Sequence, residues 1–310
     1  MLTLFTTPKP FRGHIGTIQR NALASWTRLR PGVEVILFGD DEGAAEIARE
    51  LDIRHIPEAP RHPSGFKYLN AFFAHAQQIA RNPIVCYANC DIIFLPDLLE
   101  AVRRVAESMP RFLMLGRRTD LDLAEPISLD EANWSLMLSD RASREGRPRP
   151  GQWIDYFVFP RGFYESIPPF VIGRVAWDNW LVWRALDMPA PVVDATDSVL
   201  AIHQNHDYAY HPQGATGVWQ DELALRNVEL GGGYHWVGTI DDATFRLTPG
   251  GIRRNWKRHI AFVRRSVARA TYGGLSASLR VSRPLRHALG IRKGSLESVR
   301  AKLGASRSKS

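Results

Sequence analysis

The sequence predicts an α/β fold, in which a central sheet is covered by helices on both faces. Over about the first 120 residues, short apolar segments alternate with segments whose apolar residues recur at helical spacing. The apolar segments are continuous rather than alternating with polar residues, which is typical of parallel strands buried on both faces. Because ligands of such sheets lie beyond the carboxyl ends of the strands, polar residues that follow the strands become candidate site residues.

The individual elements follow from local pattern. Leu2–Thr6 is a strand that ends at prolines, and Thr17–Leu29 is a helix that ends before Pro31. The other predicted strands in this part are Val33–Phe38, Ile53–Ile56, Ile84–Tyr87, Ile92–Leu95 and Arg111–Leu115. The other predicted helices are Asp41–Leu51, Tyr68–Ala80 and Leu98–Glu107.

The pattern changes after this part of the chain. Residues 119–152 are rich in Asp, Glu, Arg and Pro, and they predict a lid over the site with one helix near Leu129–Leu138. The chain then returns to the sheet. The elements predicted on its return are the strands Trp153–Phe159, Val192–Val193 and Val199–Ile202 and the helix Trp177–Leu186. The remainder up to Pro249 has no regular pattern.

Composition and charge bound the function classes. The 310 residues contain two cysteines, Cys86 and Cys90, which lie in an apolar run and cannot form a secreted disulfide framework. No apolar stretch reaches the roughly 18 residues of a membrane helix, and the N-terminus lacks signal-peptide features, so we expect a cytoplasmic protein. The net charge of +8 is uneven, because residues 251–310 hold 16 Lys and Arg but one acid.

This asymmetry predicts two regions: a mildly acidic body over residues 1–250 and a basic tail over residues 251–310. Within the tail, apolar residues recur on one face of Ile252–Tyr272, which predicts a basic amphipathic helix that binds an anionic membrane surface. The protein would then be peripheral at the inner face of the cell membrane. One alternative is a frayed end that only keeps the protein in solution. The other is nucleic-acid binding, which we expect less than binding to a membrane surface.

Two polar segments have residues suited to a metal ion. Asn89 and Asp91 follow the most apolar strand and point the same way along an extended chain. His203 and His206 follow a later apolar strand, and imidazole with carboxylate suits Mn²⁺ or Mg²⁺. Taken singly, the first segment has an Asx turn as its structural alternative, and the second is more typical of ordinary loop histidines.

Further candidates surround these segments. Asp178 lies at the start of a helix between Trp177 and Trp180, and Asp155 and Tyr156 belong to the preceding strand. Carboxylates among aromatic rings indicate a sugar-binding pocket, and a helix cap is the structural alternative.

Basic residues also follow predicted strands. Arg117 and Arg118 end a strand, so one of the pair is expected to face a phosphate-bearing ligand. No Walker A, dinucleotide or nucleophile-elbow motif is present, which argues against a P-loop NTPase, a typical dehydrogenase and an α/β-hydrolase.

As an ordered set over residues 1–235, these segments resemble GT-A-fold glycosyltransferases, which use nucleotide sugars as donors. The segments are Asn-Cys-Asp, Gly-Arg-Arg, Asp-Tyr-Phe-Val-Phe, Trp-Asp-Asn and His-Gln-Asn-His-Asp-Tyr. The resemblance implies a GT-A-like mixed sheet flanked by helices. In that family a D-x-D motif binds the ribose and a divalent metal. Here Asn89 replaces its first Asp, while Asp91 matches the second.

The resemblance also implies residue roles. Asp91 with His203 (or His206) would bind the metal, and Asp178 would be the catalytic base of an inverting transfer. The donor would be a nucleotide sugar, with UDP favoured, and the acceptor a glycan or a lipid-linked hydroxyl. Asp155, Tyr156 and Trp177 would bind the acceptor or sugar, and the expected donor-binding residues are Thr6, Thr7, Lys9, Asp40, Asn89, Arg117 and Arg118.

Two other function classes stay open at this point. A sugar-phosphate nucleotidyltransferase has a similar sheet, but it normally carries a Gly-rich basic segment after the first strand, which Thr6-Thr7-Pro8-Lys9 lacks. A non-catalytic sugar-binding or nucleic-acid-binding module is compatible with Asn at position 89. Metal-dependent binding of a nucleotide sugar separates the three classes.

Overall fold

The computed structural model describes residues 1–129, 131–207, 218–233 and 238–256. Thirteen strands, seven helices and one 3₁₀ turn lie wholly within these residues. In chain order the elements are β1 (Leu2–Thr6), α1 (Gly13–Thr27), β2 (Glu34–Phe38), α2 (Ala44–Glu50), β3 (Arg54–Ile56), α3 (Leu69–Ile79), β4 (Ile84–Ala88), β5 (Ile92–Phe94), α4 (Asp97–Ser108), β6 (Leu113–Leu115), β7 (Arg118–Leu121), α5 (Trp134–Glu145), β8 (Arg147–Pro148), β9 (Tyr156–Pro160), α6 (Trp177–Asp187), β10 (Val192–Asp194), β11 (Ala201–Gln204), α7 (Glu222–Leu230), the 3₁₀ turn (Ile240–Asp242), β12 (Phe245–Thr248) and β13 (Gly251–Arg254).

Nine strands form one sheet in the order β13-β12-β10-β6-β9-β4-β1-β2-β3. β1 is parallel to β2 and β4, and β10 is parallel to β6 and β12. β9 is antiparallel to both β4 and β6, so it begins at the edge where its two neighbours end. The α/β class is confirmed, and so is the mixed sheet that the family resemblance implies.

Both faces of the large sheet are covered by helices. One apolar core contains side chains from β1, β4 and helices α1, α2 and α4, with Trp26 fully buried in it. The other contains the opposite faces of the same strands with α3 and α6, and it is rich in aromatic rings around Phe5, Phe73 and Phe159. Strands buried on both faces explain the continuous apolar runs of the sequence.

A second sheet has the order β5-β11-β7-β8. β11 lies between β5, to which it is antiparallel, and β7, to which it is parallel. Helix α5 covers this sheet through Trp134, Leu138 and Ala142. This strand order matters for the site. It brings three segments side by side: the residues just before β5, the end of β11 and the end of β7.

Several sequence predictions need correction here. Residues 119–152 are not only an excursion, because Arg118–Leu121 is a strand of the second sheet, and α5 begins at Trp134 rather than near Leu129. The region up to Pro249, expected to be irregular, contains α7 and β12.

The tail also begins differently from its prediction. Gly251–Arg254 is a strand paired with β12, so the helix predicted over Ile252–Tyr272 does not begin at Ile252, and the nine-stranded sheet continues past residue 250. The rest of that helix lies outside the described residues. Within the described part of the chain, none of the helices has the length and apolar character required to cross a membrane.

Candidate active site

A cleft of about 550 Å³ lies beyond the carboxyl ends of β1, β2 and β4. This edge is where open α/β sheets bind their ligands. Ten of the fourteen side chains singled out from the sequence line the cleft. They are Thr7, Lys9, Asn89, Asp91, Arg118, Asp155, Trp177, Asp178, His203 and His206.

The other four do not line it, although each of them precedes or follows a residue that does. Thr6 is buried within β1, and Tyr156 packs in the core against Phe94, with its ring centroid 5.3 Å away. Arg117 forms an ion pair with Asp241, outside the cleft. In an extended chain neighbouring side chains point to opposite sides, so Asp155 and Tyr156, or Arg117 and Arg118, cannot both face one cleft.

Asp40 is the fourth of these residues. It is exposed and hydrogen-bonded to Arg61, whereas the cleft is lined by Asp41. Asp41 forms an ion pair with the buried Lys67, whose Nζ also donates to the carbonyl of Pro8 at 2.7 Å. Gly39 has a φ of +114°, and a Cβ there would lie 2.7 Å from Lys67 Cε, so only glycine fits this turn. Sequence reasoning therefore placed the acidic residue one position too early.

Three potential metal ligands converge at one end of the cleft, which we call the metal end. They are Asp91, His203 and His206, and their ligand atoms all lie within 4.8 Å of one another. Oδ2 of Asp91 lies 3.2 Å from Nε2 of His206 and 3.9 Å from Nε2 of His203. The other oxygen, Oδ1, is buried without a hydrogen bond in the described structure. One carboxylate and two imidazoles form a donor set suited to a divalent cation.

The electrostatics of the metal end keep the carboxylate charged. Burial alone would raise the pKa of Asp91, but His203, His206 and Lys9 outweigh it, so the pKa lies well below its usual range. The pKa of His206 is raised, because its hydrogen bond to Asp91 outweighs burial. Lys9 has a lowered pKa, chiefly through burial. Its backbone is fixed by Gln19, which both accepts from Lys9 N and donates to Lys9 O.

Asn89 makes two side-chain hydrogen bonds within the cleft wall. Its Oδ1 accepts from the hydroxyl of Tyr87 at 2.8 Å, and its Nδ2 donates to Oδ1 of Asp155 at 2.6 Å. The second oxygen of Asp155 accepts from Nη1 of Arg118 at 2.8 Å. Asn89 therefore orients Asp155. An Asp at position 89 would set two carboxylates against each other.

Asp178 lies in the other half of the cleft, which we call the acid end. It is partly buried in the first turn of α6. Ala176, the residue that caps the N-terminus of this helix, has a φ of +83°. Burial raises the pKa of Asp178 to about 7, backbone hydrogen bonding at Asn179 opposes the shift, and the charge of Asp155 adds to it. A carboxyl group with this pKa can take up and release a proton near neutral pH.

Sequence reasoning missed several residues at the site. Asp120, buried in β7, lies with its Oδ1 3.2 Å from Nδ1 of His203 and 2.8 Å from Nε of Arg118. Arg174, also buried, pairs with Asp221 and stacks over Phe66. If Arg118–Leu121 is taken as a strand, its side chains alternate, which puts Asp120 on the same side as Arg118. The segment is too short and polar for the sequence to predict that strand.

Aromatic rings also line the cleft near the acid end. Trp153 and Trp219 contact each other edge-on, with ring centroids 6.1 Å apart. The guanidinium groups of Arg118 and Arg149 lie 4.9 and 5.3 Å from the Trp153 ring, within the range of cation–π contact. Trp219 remains 46% exposed although it lines the cleft.

Comparison with known proteins gives structural matches of low similarity. No protein-family model and no curated protein sequence matches the chain. The structure of S. aureus TarS 1–349 matches at 9% identity and a TM-score of 0.39, over 66% of this chain and 58% of that one. This chain thus spans less than two thirds of the length of that match.

A second match is M. tuberculosis glucosyl-3-phosphoglycerate synthase, at 13% identity and a TM-score of 0.44, over 75% of this chain and 81% of that one. The same synthase in complex with Mg²⁺ and uridine diphosphate matches at 13% identity and a TM-score of 0.43, over 82% of this chain and 86% of that one.

Proposed function

We propose that this chain is a metal-dependent glycosyltransferase, which moves a sugar from a nucleotide diphosphate donor to a hydroxyl group of a glycan or lipid-linked acceptor. We favour UDP-sugars as donors. One observation carries the proposal: three potential metal ligands and a carboxylic acid with a pKa of about 7 line the same cleft. Both functions serve transfer to a hydroxyl, because a cation offsets the charge of the departing diphosphate and a carboxylate takes the acceptor proton.

The metal end fits a divalent cation, Mn²⁺ or Mg²⁺. Asp91, His203 and His206 would hold it, and the buried, unbonded Oδ1 of Asp91 is the kind of oxygen that a cation would satisfy. When bound, the cation offsets the negative charge of the donor diphosphate and makes it a better leaving group. Two nitrogen ligands favour Mn²⁺, because Mg²⁺ prefers oxygen ligands.

The donor would lie along the ends of β1 and β2. Thr7 and Lys9 line the cleft there, and Thr7 Oγ1 donates to the carbonyl of Phe38 at 2.8 Å, which joins the two strand ends. Lys9 lies near Asp91 and would face the phosphates. Asp41, rather than Asp40, lines the cleft there and would accept hydrogen bonds from the nucleoside.

At the acid end, Asp178 would act as the general base. Its ionised carboxylate would take the proton of the acceptor hydroxyl as that oxygen bonds to the anomeric carbon and the bond to the diphosphate breaks. Direct attack of this kind inverts the anomeric configuration. Asp155, oriented by Asn89 and Arg118, would accept hydrogen bonds from sugar hydroxyls, and Trp177 and Trp219 would contact the sugar ring.

The experiment that tests the proposal is calorimetric titration of the full chain with UDP-glucose, with Mn²⁺ and after chelation. We expect binding that requires Mn²⁺ and slow release of UDP in the absence of an acceptor. A panel of other nucleotide sugars follows if UDP-glucose is a poor donor. Binding of no nucleotide sugar with Mn²⁺ present would contradict the proposal. Release of pyrophosphate from a nucleoside triphosphate and a sugar phosphate would instead indicate a nucleotidyltransferase.

A lipid-linked acceptor would give the basic residues 251–310 a role, because their charge would hold the enzyme at an anionic membrane surface. Flotation with vesicles that contain anionic lipid tests this part separately. We expect the full chain to float with the vesicles and a chain that ends at residue 256 to remain in solution. Equal flotation of both would exclude the tail as the membrane contact and leave the cleft chemistry untouched.

A further inference from the structure

The second sheet aligns three titratable side chains across its strands. The register of β7 and β11 pairs Asp120 with His203, and the register of β11 and β5 pairs His203 with Ile92, which directly follows Asp91. The backbone of Gln204 also donates to the carbonyl of Asp91 at 3.2 Å. His203 therefore has a carboxylate on each side.

The two ring nitrogens of His203 face different carboxylates. Nε2 is directed toward Asp91, at 3.9 Å, and Nδ1 toward Oδ1 of Asp120, at 3.2 Å. Nδ1 and Oδ1 are both buried, and no hydrogen bond in the described structure uses either of them. A proton on Nδ1 would lie beside the Asp120 carboxylate, which would leave the lone pair of Nε2 for a cation at the Asp91 side.

Asp120 is itself held in place from two directions. Nε of Arg149 donates to its Oδ2 at 2.5 Å, and Nε of Arg118 lies 2.8 Å from its Oδ1. Burial favours the neutral acid, but His203, Arg118 and Arg149 lower the pKa of Asp120 to about 2. Arg118 also binds Asp155, so one guanidinium group joins the metal end to a carboxylate near the acid end.

We infer that Asp120 is a positioning residue: its carboxylate fixes the Nδ1–H tautomer and the orientation of His203 so that Nε2 can ligate the cation. The inference rests on the metal site of the proposed function. It concerns a residue in a segment that the sequence pattern assigned to a lid. A carboxylate behind a ligating histidine orients the ring and raises its basicity, and loss of such a partner typically weakens metal binding about 10- to 100-fold.

Manganese binding to the full chain, followed by the electron paramagnetic resonance signal of free Mn²⁺ at pH 8, tests the inference. We expect Asp120→Asn to weaken binding by about 10- to 100-fold. Asp122→Asn is the matched control, because it removes the same charge two residues away. Asp122 is exposed and accepts from Asn205 at 2.7 Å through an oxygen that the amide retains. We expect it to change binding less than twofold. Equal weakening by both variants would overturn the inference.

A second measurement reads the parent chain itself, without a bound metal and without a change at Asp120. Long-range ¹H–¹⁵N spectra of the parent chain at pH 8 without metal report the tautomer of each histidine, and His203→Gln identifies the signal of His203. We expect the proton on Nδ1, and a proton on Nε2 would overturn the inference. If the parent binds no Mn²⁺, the metal part of the proposed function fails, while this spectrum still decides whether Asp120 orients His203.

Discussion

The two ends of the cleft use the same side chain, aspartate, in opposite electrostatic settings. At the metal end, Asp91 is buried beside His203, His206 and Lys9, and its pKa is lowered. At the acid end, burial raises the pKa of Asp178 to about 7, and no cation within the described structure offsets this shift. Burial pushes both groups in the same direction, so the difference arises from the presence or absence of cations.

This difference indicates a division of labour. A carboxylate that stays ionised at every working pH suits the binding of positive charge, whereas a carboxyl group that titrates near neutrality suits proton transfer. The border between the ends is the chain of contacts from Tyr87 through Asn89 and Asp155 to Arg118. Four predictions test the division, in order of decreasing expected effect.

The largest effect is expected for Asp178→Asn. The amide has nearly the same shape but cannot accept a proton, so we expect kcat for sugar transfer to fall by about 10²- to 10⁴-fold. The measurement is UDP release in the presence of acceptor. Donor and Mn²⁺ affinity should change by less than about threefold. Asp187→Asn, an exposed acid at the far end of α6, is the control and should retain full kcat. Full activity of Asp178→Asn would remove this residue from the chemistry.

The reciprocal variant at the metal end is Asp91→Asn. We expect it to weaken Mn²⁺ binding by more than about 100-fold, because loss even of an outer-shell partner weakens it by about 10- to 100-fold. Calorimetric titration with Mn²⁺ measures the effect, and Asp178→Asn serves as the control with unchanged affinity. If both variants lose Mn²⁺ to the same extent, the two ends do not divide the functions as described.

A double-mutant cycle tests the border. Asn89→Asp would place a carboxylate where Asn89 Nδ2 now lies 2.6 Å from Asp155, so we expect the free energy of unfolding to fall by about 1–3 kcal/mol. Combining it with Asp155→Asn again pairs one amide donor with one carboxylate acceptor. The double variant should therefore recover at least about 1 kcal/mol of the free energy of unfolding relative to the sum of the single effects. Urea unfolding at pH 7.5 of all four proteins measures it. Strictly additive effects would show that Asn89 and Asp155 do not form one unit.

The sequence predicts the donor side of the fold well, because continuous apolar runs followed by polar residues mark strand ends. Leu2–Thr6 is predicted to the residue, and Asn89 and Asp91 follow a strand that ends one residue beyond its predicted end. The positions of side chains around those ends depend on local turn geometry. The backbone at Gly39 has a φ of +114°, and this turn selects Asp41 over Asp40, which residue type alone does not reveal.

The acid end and the second sheet are less accessible to sequence reasoning. Asp120 becomes meaningful only when β7 pairs with β11, whose His203 lies more than eighty residues further along the chain. β7 is four residues long and carries Arg, Thr and Asp, so neither its length nor its hydropathy predicts a strand. Alternation along an extended chain does exclude Tyr156 once Asp155 faces the cleft, and that rule needs no structure.

The smallest of the four effects is the pH dependence that separates the two ends. As a base, Asp178 must be ionised, so at saturating Mn²⁺ we expect kcat to rise with pH, reach half its plateau near pH 7 and be about tenfold lower at pH 6. Asp91 stays ionised over this range because its pKa is lowered, so it contributes no step to the profile. Saturating Mn²⁺ removes competition between protons and metal at His206, whose pKa is raised. The residual activity of Asp178→Asn should be flat from pH 6 to pH 8. A step near pH 7 that persists in this variant would assign the titrating group to the metal end and contradict the division between the two ends.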